Sequence, residues 1–123
     1  MADLARFLFQ DSHFSANNRR VKQGGFNPGS RPDLSVFLVR GIGAARKDYL
    51  ARKVGEHGGR VVKARAELDL QALDDLPLSF RRDDTPIHRH GNLVGWPQGN
   101  TNDARLERVA MATLLANRAR LVA

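Results

Sequence analysis

The 123-residue chain contains no cysteine, which excludes a disulfide framework, a thiolate metal site and a cysteine nucleophile. No stretch reaches the roughly 18 apolar residues that a membrane span needs. The opening Met-Ala-Asp-Leu-Ala-Arg carries an acid early, and its apolar stretch is too short for a secretory signal. Internal repeats and low-complexity tracts are absent, and no motif calls for a cofactor. Ser12, Ser15, Ser30, Ser35 and Ser79 all lack a nucleophile-elbow context, so the sequence argues against a serine hydrolase. These absences leave an ordinary, basic, single-domain protein, expected to be cytoplasmic and free of membrane contact.

What is present is charge of one sign. Lys and Arg number 20 against 13 Asp and Glu, giving +7, and the excess is uneven. Residues 1–68 hold 13 basic and 6 acidic side chains, whereas residues 69–123 hold 7 of each. Such a concentrated positive field attracts phosphate backbones, and salt weakens the attraction as counterions are released. Sixteen of the basic residues are arginine, whose planar fork suits bidentate phosphate contact.

Turn formers punctuate the chain and define its elements. Residues 4–9 are short and apolar and read as a strand or a first helical turn. Residues 10–33 gather Asn17-Asn18, Gly24-Gly25 and Asn27-Pro28-Gly29-Ser30, which predicts a long loop or arm. The arm carries Arg19, Arg20, Lys22 and Arg31, with Phe14 and Phe26 as aromatics that could stack on bases. Leu34–Val39 is the clearest strand, apolar enough to be covered on both faces.

A helix follows over 44–57, with Ala45, Tyr49, Leu50 and Val54 spaced to bury one side and Asp48 placed to pair with Arg52. Gly58-Gly59 ends it as a left-handed cap would. Residues 60–67 alternate as a half-buried strand, although a helix from 62 to 76 competes, and a short helix is expected from Asp69 to Asp75. Pro77 and Pro86 bracket a polar turn containing Arg81-Arg82-Asp83-Asp84. Asn92–Trp96 is a short strand in which Trp96 reads as a core plug. Thr101 or Asn102 caps a last helix whose inward stripe is Leu106, Val109, Ala110, Thr113, Leu114 and Asn117. The expected fold is α/β or α+β. It is a single small domain with about four strands and two or three packed helices, divided into an N-terminal strand plus arm (1–33) and a folded body (34–123).

Three motifs bear on chemistry. Gly41-x-Gly43-x-x-Arg46 stands between strand and helix but lacks the third glycine of a dinucleotide fingerprint, so it reads as a tight turn. The helix start there could still meet one phosphate beside Arg40 and Arg46. His88-Arg89-His90 would place two imidazoles on one strand face, with no third metal ligand in evidence. His13 and His90, with Lys22 as a phosphate clamp, supply the residue types for metal-free RNA cleavage. One histidine would act as base on the 2′-hydroxyl and the other as acid on the leaving oxygen.

The segment from Leu34 to about Val122 resembles a BRCT module in length and element order. The residues that carry the likeness are Ser35-Val36-Phe37-Leu38-Val39 leading to Gly41, Tyr49-Leu50, His57-Gly58-Gly59-Arg60-Val61-Val62 and His90-Gly91-Asn92-Leu93-Val94. That resemblance implies docking of an acidic or phosphorylated protein. Its pattern departs at Arg40, where a Ser or Thr is expected, and in the missing last helix with its tryptophan. Separately, Arg89-His90-Gly91-Asn92-Leu93-Val94-Gly95-Trp96-Pro97, with His13-Phe14 and Arg20-Val21-Lys22, is similar to a group of small bacterial proteins. That likeness draws attention to His13, Lys22 and His90 and implies no mechanism.

Three functions follow as expectations. The first is a nucleic-acid-binding protein or adaptor subunit that contacts RNA or DNA phosphates through Arg19, Arg20, Lys22, Arg31, Arg40, Arg46, Lys53, Lys63 and Arg65. The second is a metal-independent ribonuclease, a toxin or defence effector, built on His13, Lys22 and His90. The third is a protein–protein module.

Overall fold

The computed structural model describes residues 2–123. Its centre is a six-stranded antiparallel sheet. The contributing strands are β1 (Leu4–Leu8), β4 (Asp33–Leu38), β5 (Ala64–Leu68), β6 (Ser79–Arg82), β7 (His90–Val94) and β8 (Arg120–Val122), in the order β6-β7-β4-β1-β5-β8. A separate ribbon pairs β2 (Phe14–Ser15) with β3 (Arg20–Val21). Two helices complete the fold, α1 (Ala44–Gly58) and α2 (Asn102–Arg118). The chain is thus a small single α/β domain, with a sheet larger than the four strands expected. The extra strands are β6, hidden in what reads as a polar turn around Arg81-Arg82, and β8, three residues at the C-terminal end.

Strand alternation sends side chains to two separate cores. On one face Leu4, Leu8, Leu34, Val36, Ala66, Leu68 and Leu93 meet Met111, Ala112, Leu115 and Ala116 of α2. Trp96 fills this core as expected and donates its indole N–H to the Leu93 carbonyl at 3.0 Å. On the other face Ala5, Phe7, Phe37 and Val39 meet Leu50 of α1, with Ala51 and Val54 partly buried. Leu34–Val39 is therefore covered on both sides.

The predicted helix faces need correction. In α2 the buried side is Ala104, Arg108, Met111, Ala112, Leu115 and Ala116, while Leu106 is 67% exposed and Val109 and Leu114 also face solvent. Apolar residues lie around much of this helix, so spacing alone chose the wrong stripe. Small alanines face the sheet, and Arg108 reaches back to the Pro97 and Gly99 carbonyls at 2.9 Å each. In α1 Leu50 and Gly55 are buried, but Ala45 and Tyr49 are exposed, and Tyr49 lies beside Arg52 and Lys53. Asp48 reaches Arg65, at 3.2 Å, and not Arg52. The caps hold as read. Thr101 Oγ1 accepts from the Ala104 N–H at 3.2 Å, and Gly59 takes the left-handed conformation with φ 65°.

Residues 2–33 are not an appendage to a separate body, because β1 lies between β4 and β5 in the sheet. Of the two aromatics offered for base stacking, Phe26 is 1% exposed in the core, and Phe14 packs partly buried against the same core. Burial of two aromatic rings and Val21 holds this turn-rich segment to the domain despite its composition. Gly95 is required where it stands. Its φ is 103°, and a Cβ there would run into the Pro77 carbonyl.

Candidate functional site

Pairing between β1 and β4 stops at Leu4–Leu38 and Ala5–Phe37. The next residue of β1 is Arg6, on the parity otherwise occupied by Leu4 and Leu8. A cation there has to find acceptors. Its Nη1 donates to the Ser35 carbonyl at 2.9 Å and its Nε to the Gly25 carbonyl at 3.0 Å. No carboxylate pairs with it among the described residues. Burial, and then the nearby charges of Arg31 and Arg60, push its pKa down to about 10, so it stays cationic at neutral pH.

Arg6 forms part of the wall of a cavity of about 500 Å3 at the C-terminal end of α1. Arg31, Arg60, His13, His57 and His90 also line it, together with Phe7, Phe9, Phe37 and Ser35. Asp33 is the only carboxylate on this wall. The Arg60 guanidinium lies over the Phe9 ring, 4.1 Å from its centroid, a cation–π contact within the cavity lining.

The two histidines expected to act together therefore share one cavity. His13 sits against Gly24, where a Cβ would come 3.0 Å from the ring. Burial, followed by the Arg6 charge, lowers its pKa, so the imidazole is neutral at pH 7. His90 is held from both sides: Nδ1 lies 3.0 Å from the Asp83 carbonyl and Nε2 lies 2.7 Å from Ser35 Oγ. A carbonyl only accepts, so Nδ1 carries a proton, and in that tautomer the Nε2 lone pair faces the Ser35 hydroxyl. The Phe37 ring meets the imidazole edge-on at 5.3 Å.

Lys22 is not on the cavity wall. Its backbone N–H donates to the His13 carbonyl at 2.9 Å, and its side chain is exposed. Arg6 holds the cationic position that Lys22 was expected to fill. The His88-Arg89-His90 run does not form a two-histidine strand face either. Arg89 has φ 73° and its N–H donates to Asp84, so the strand begins at His90, and His88 turns to Asp84 at 3.4 Å. No group of three or more metal-ligating side chains gathers among the described residues.

The nine predicted phosphate contacts divide into two sets. Four are paired with carboxylates: Arg40 with Asp3 at 2.6 Å, Lys53 with Glu56 at 3.6 Å, Lys63 with Asp11 at 3.0 Å, and Arg65 with Asp48 and Glu67. Arg19, Arg20, Lys22, Arg31 and Arg46 make no ion pair among the described residues. Of these five only Arg31 lines the cavity. Arg46 and Lys53 instead line a neighbouring hollow of about 550 Å3 with Ile42 and Tyr49, which shares His57, Pro86 and Ile87 with the first.

Sequence reasoning missed Arg6, Arg60 and Ser35. A signal for Arg6 existed: an arginine at the middle of Leu4-x-Arg6-x-Leu8 has core-facing parity, and a core-facing cation needs a reason. Comparison with known proteins adds no relative, since no family model, curated protein or solved structure matches the chain. No helix among the described residues is long and apolar enough to cross a membrane.

Proposed function

We propose that this protein binds the phosphodiester backbone of a nucleic acid in the Arg6 cavity. The observation that carries the reading is the convergence of Arg6, Arg31 and Arg60 on one concave site where none of the three has a carboxylate partner among the described residues. Three like charges held in a recess repel one another. A phosphate would relieve that repulsion and supply acceptors for guanidinium donors that protein groups leave open. The outer bases Arg40, Lys63 and Arg65 support a surface track less well, because their charge is already neutralised. Fluorescence anisotropy with labelled single-stranded RNA and DNA across a salt series tests the reading. Affinity should fall steeply with salt and fall further in Arg31→Ala and Arg60→Ala. Salt-insensitive association, or none, would remove it.

One observation favours a second reading, the metal-independent ribonuclease. His13 and His90 line the same cavity, with Arg6 in place of Lys22 as the cation beside the phosphate. An acid–base pair working on RNA needs one protonated histidine, and His13 is held neutral. Cleavage of RNA in EDTA, lost in both His13→Ala and His90→Ala, is the result this reading requires.

A further inference from the structure

We propose that Ser35 is a nucleophile and His90 its general base, and that the pair cleaves phosphodiesters in the Arg6 cavity without using a 2′-hydroxyl. The inference rests on the phosphate-binding reading and names the chemistry of that site. Ser35 lies on β4 and His90 on β7, and the register sets His90 opposite Phe37 and Asn92 opposite Ser35. The two side chains are therefore diagonal neighbours on one sheet face, and their polar atoms meet at 2.7 Å. The Asp83 carbonyl, 3.0 Å from Nδ1, fixes the tautomer that turns the Nε2 lone pair to the hydroxyl. A hydroxyl, an imidazole and a third group that orients the imidazole are the parts an activated serine needs.

The surroundings select the substrate. Both side chains are on the wall of an open cavity, so Oγ is within reach of a ligand. Arg6 Nη1 donates to the backbone carbonyl of Ser35 at 2.9 Å, which puts a guanidinium against the residue that carries the nucleophile. Arg31 and Arg60 add positive charge where the non-bridging oxygens of a phosphorane would gather negative charge. A neutral carboxylic ester has no use for three arginines, whereas a phosphodiester does.

The atoms balance with water as the sole co-reactant. Oγ bonds to phosphorus as its proton passes to Nε2, and the bond from phosphorus to the leaving oxygen breaks. The imidazolium returns that proton to the departing alkoxide, leaving a diester on Ser35. A water then gives a proton to Nε2 and bonds to phosphorus. The Oγ–phosphorus bond breaks, and Oγ recovers the proton. The products are an alcohol and a phosphomonoester.

The test uses bis(4-nitrophenyl) phosphate, a diester without a 2′-hydroxyl, in EDTA, alongside RNA binding by the same wild-type preparation. Release of 4-nitrophenolate is expected from the wild type, with a nitrophenyl-phosphoryl adduct on the peptide containing Ser35 after acid quench. Ser35→Ala and His90→Gln should each lose about 100-fold or more in rate, while a thermal melt shows that both variants remain folded. Salt-dependent RNA binding without any nitrophenolate release would overturn the dyad and leave the binding reading standing. Equal rates in wild type and Ser35→Ala would overturn it as well. Absence of both RNA binding and turnover would remove the two together.

Discussion

Two groups of cations lie a few residues apart in this sheet, and they have opposite fates. Around Glu67, which is 3% exposed, Lys47, Arg65 and Arg120 donate at 2.9, 2.8 and 2.6 Å. Burial alone would raise the pKa of this carboxyl. The three donors outweigh it and bring the value down to about 2. Around Arg6 three arginines converge with no carboxylate bonded to any of them among the described residues, and Arg6 has its pKa depressed, first by burial and then by the other two charges. The first cluster is closed: its charges satisfy one another and brace β5, β8 and α1. The second is open, and its unspent donors face a cavity. The lesson is that a count of basic residues locates neither cluster. What matters is where the carboxylates are missing.

The largest effect expected from this contrast is on stability, and it belongs to the closed cluster. Glu67→Gln keeps the shape of the side chain but strips the charge from beneath Lys47 and Arg65, whose side chains are only 12% and 13% exposed. Lys47 would then lie mostly out of water without a counter-ion and Arg65 would keep only the exposed Asp48, which should cost about 3 kcal/mol. Urea unfolding of wild type and variant measures this directly. A loss under about 1 kcal/mol would mean that water already screens the cluster, and the contrast with the Arg6 cavity would weaken.

Acid probes the same carboxylate reversibly. Its folded pKa of about 2 lies below the ordinary 4.5, so its contribution is fully present above about pH 4.5. That contribution is lost progressively as pH falls toward 2, because the unfolded chain binds the proton first. The wild type should therefore lose stability between pH 4.5 and 2 more steeply than Glu67→Gln does. Asp3 and Asp75, also lowered by their arginine partners Arg40 and Arg118, add to the slope in both proteins and cancel in the comparison. Parallel stability curves for the two proteins over that range would show that Glu67 titrates normally.

What could be read before the fold was known follows the same division between local and distant causes. The clear strand read at 34–39 and found at 33–38, the start and stop of α1, the start of α2, the Thr101 and Gly59 caps and the Trp96 plug are set by neighbours in sequence, and all were legible. The inward face of α2 was not, because which of several apolar stripes turns inward is decided by the sheet it lands on. β8 was missed because a strand of three residues is defined by its partner β5 and not by its own pattern. At the site, His13 and His90 could be nominated from residue type, and the structure brings both to the cavity. Lys22 could not be told from Arg6, nor Ser35 from four other serines, because only β1 and β7 pairing on opposite sides of β4 brings Arg6, Ser35 and His90 together.

Binding sharpens the comparison at a smaller scale. Arg31 and Arg60 stabilise nothing through ion pairs among the described residues, so Arg31→Ala and Arg60→Ala should leave unfolding free energy within about 0.5 kcal/mol of wild type. Each should instead weaken single-stranded RNA binding about tenfold at moderate salt. Each should also reduce the slope of log affinity against log salt by about 0.7. Lys63→Ala, whose partner Asp11 is exposed, is the matched control and should change neither property much. If Lys63→Ala flattened the salt slope as far as Arg31→Ala, the phosphates would be running over the outer surface and not into the cavity.

The smallest expected effect reads the open cluster from within, through His13. Burial is the larger cause of its lowered pKa and the Arg6 charge the second, so the two can be separated by removing one. In Arg6→Gln the ring stays in its place against Gly24 while the nearby cation is gone. The imidazole pKa, followed by NMR through its ring protons, should rise part of the way back toward 6.5. A lowered histidine pKa favours the neutral ring in the folded protein. Wild-type stability should therefore decline as pH drops below about 6.5, and Arg6→Gln should decline less over the same interval. Added phosphate gives the converse experiment. An anion seated beside Arg6 opposes the cation's field and should raise the His13 pKa in the wild type but scarcely at all in Arg6→Gln. A His13 titration that ignores both the substitution and the anion would place Arg6 outside its electrostatic reach. The cavity would then be three separate cations and not one site.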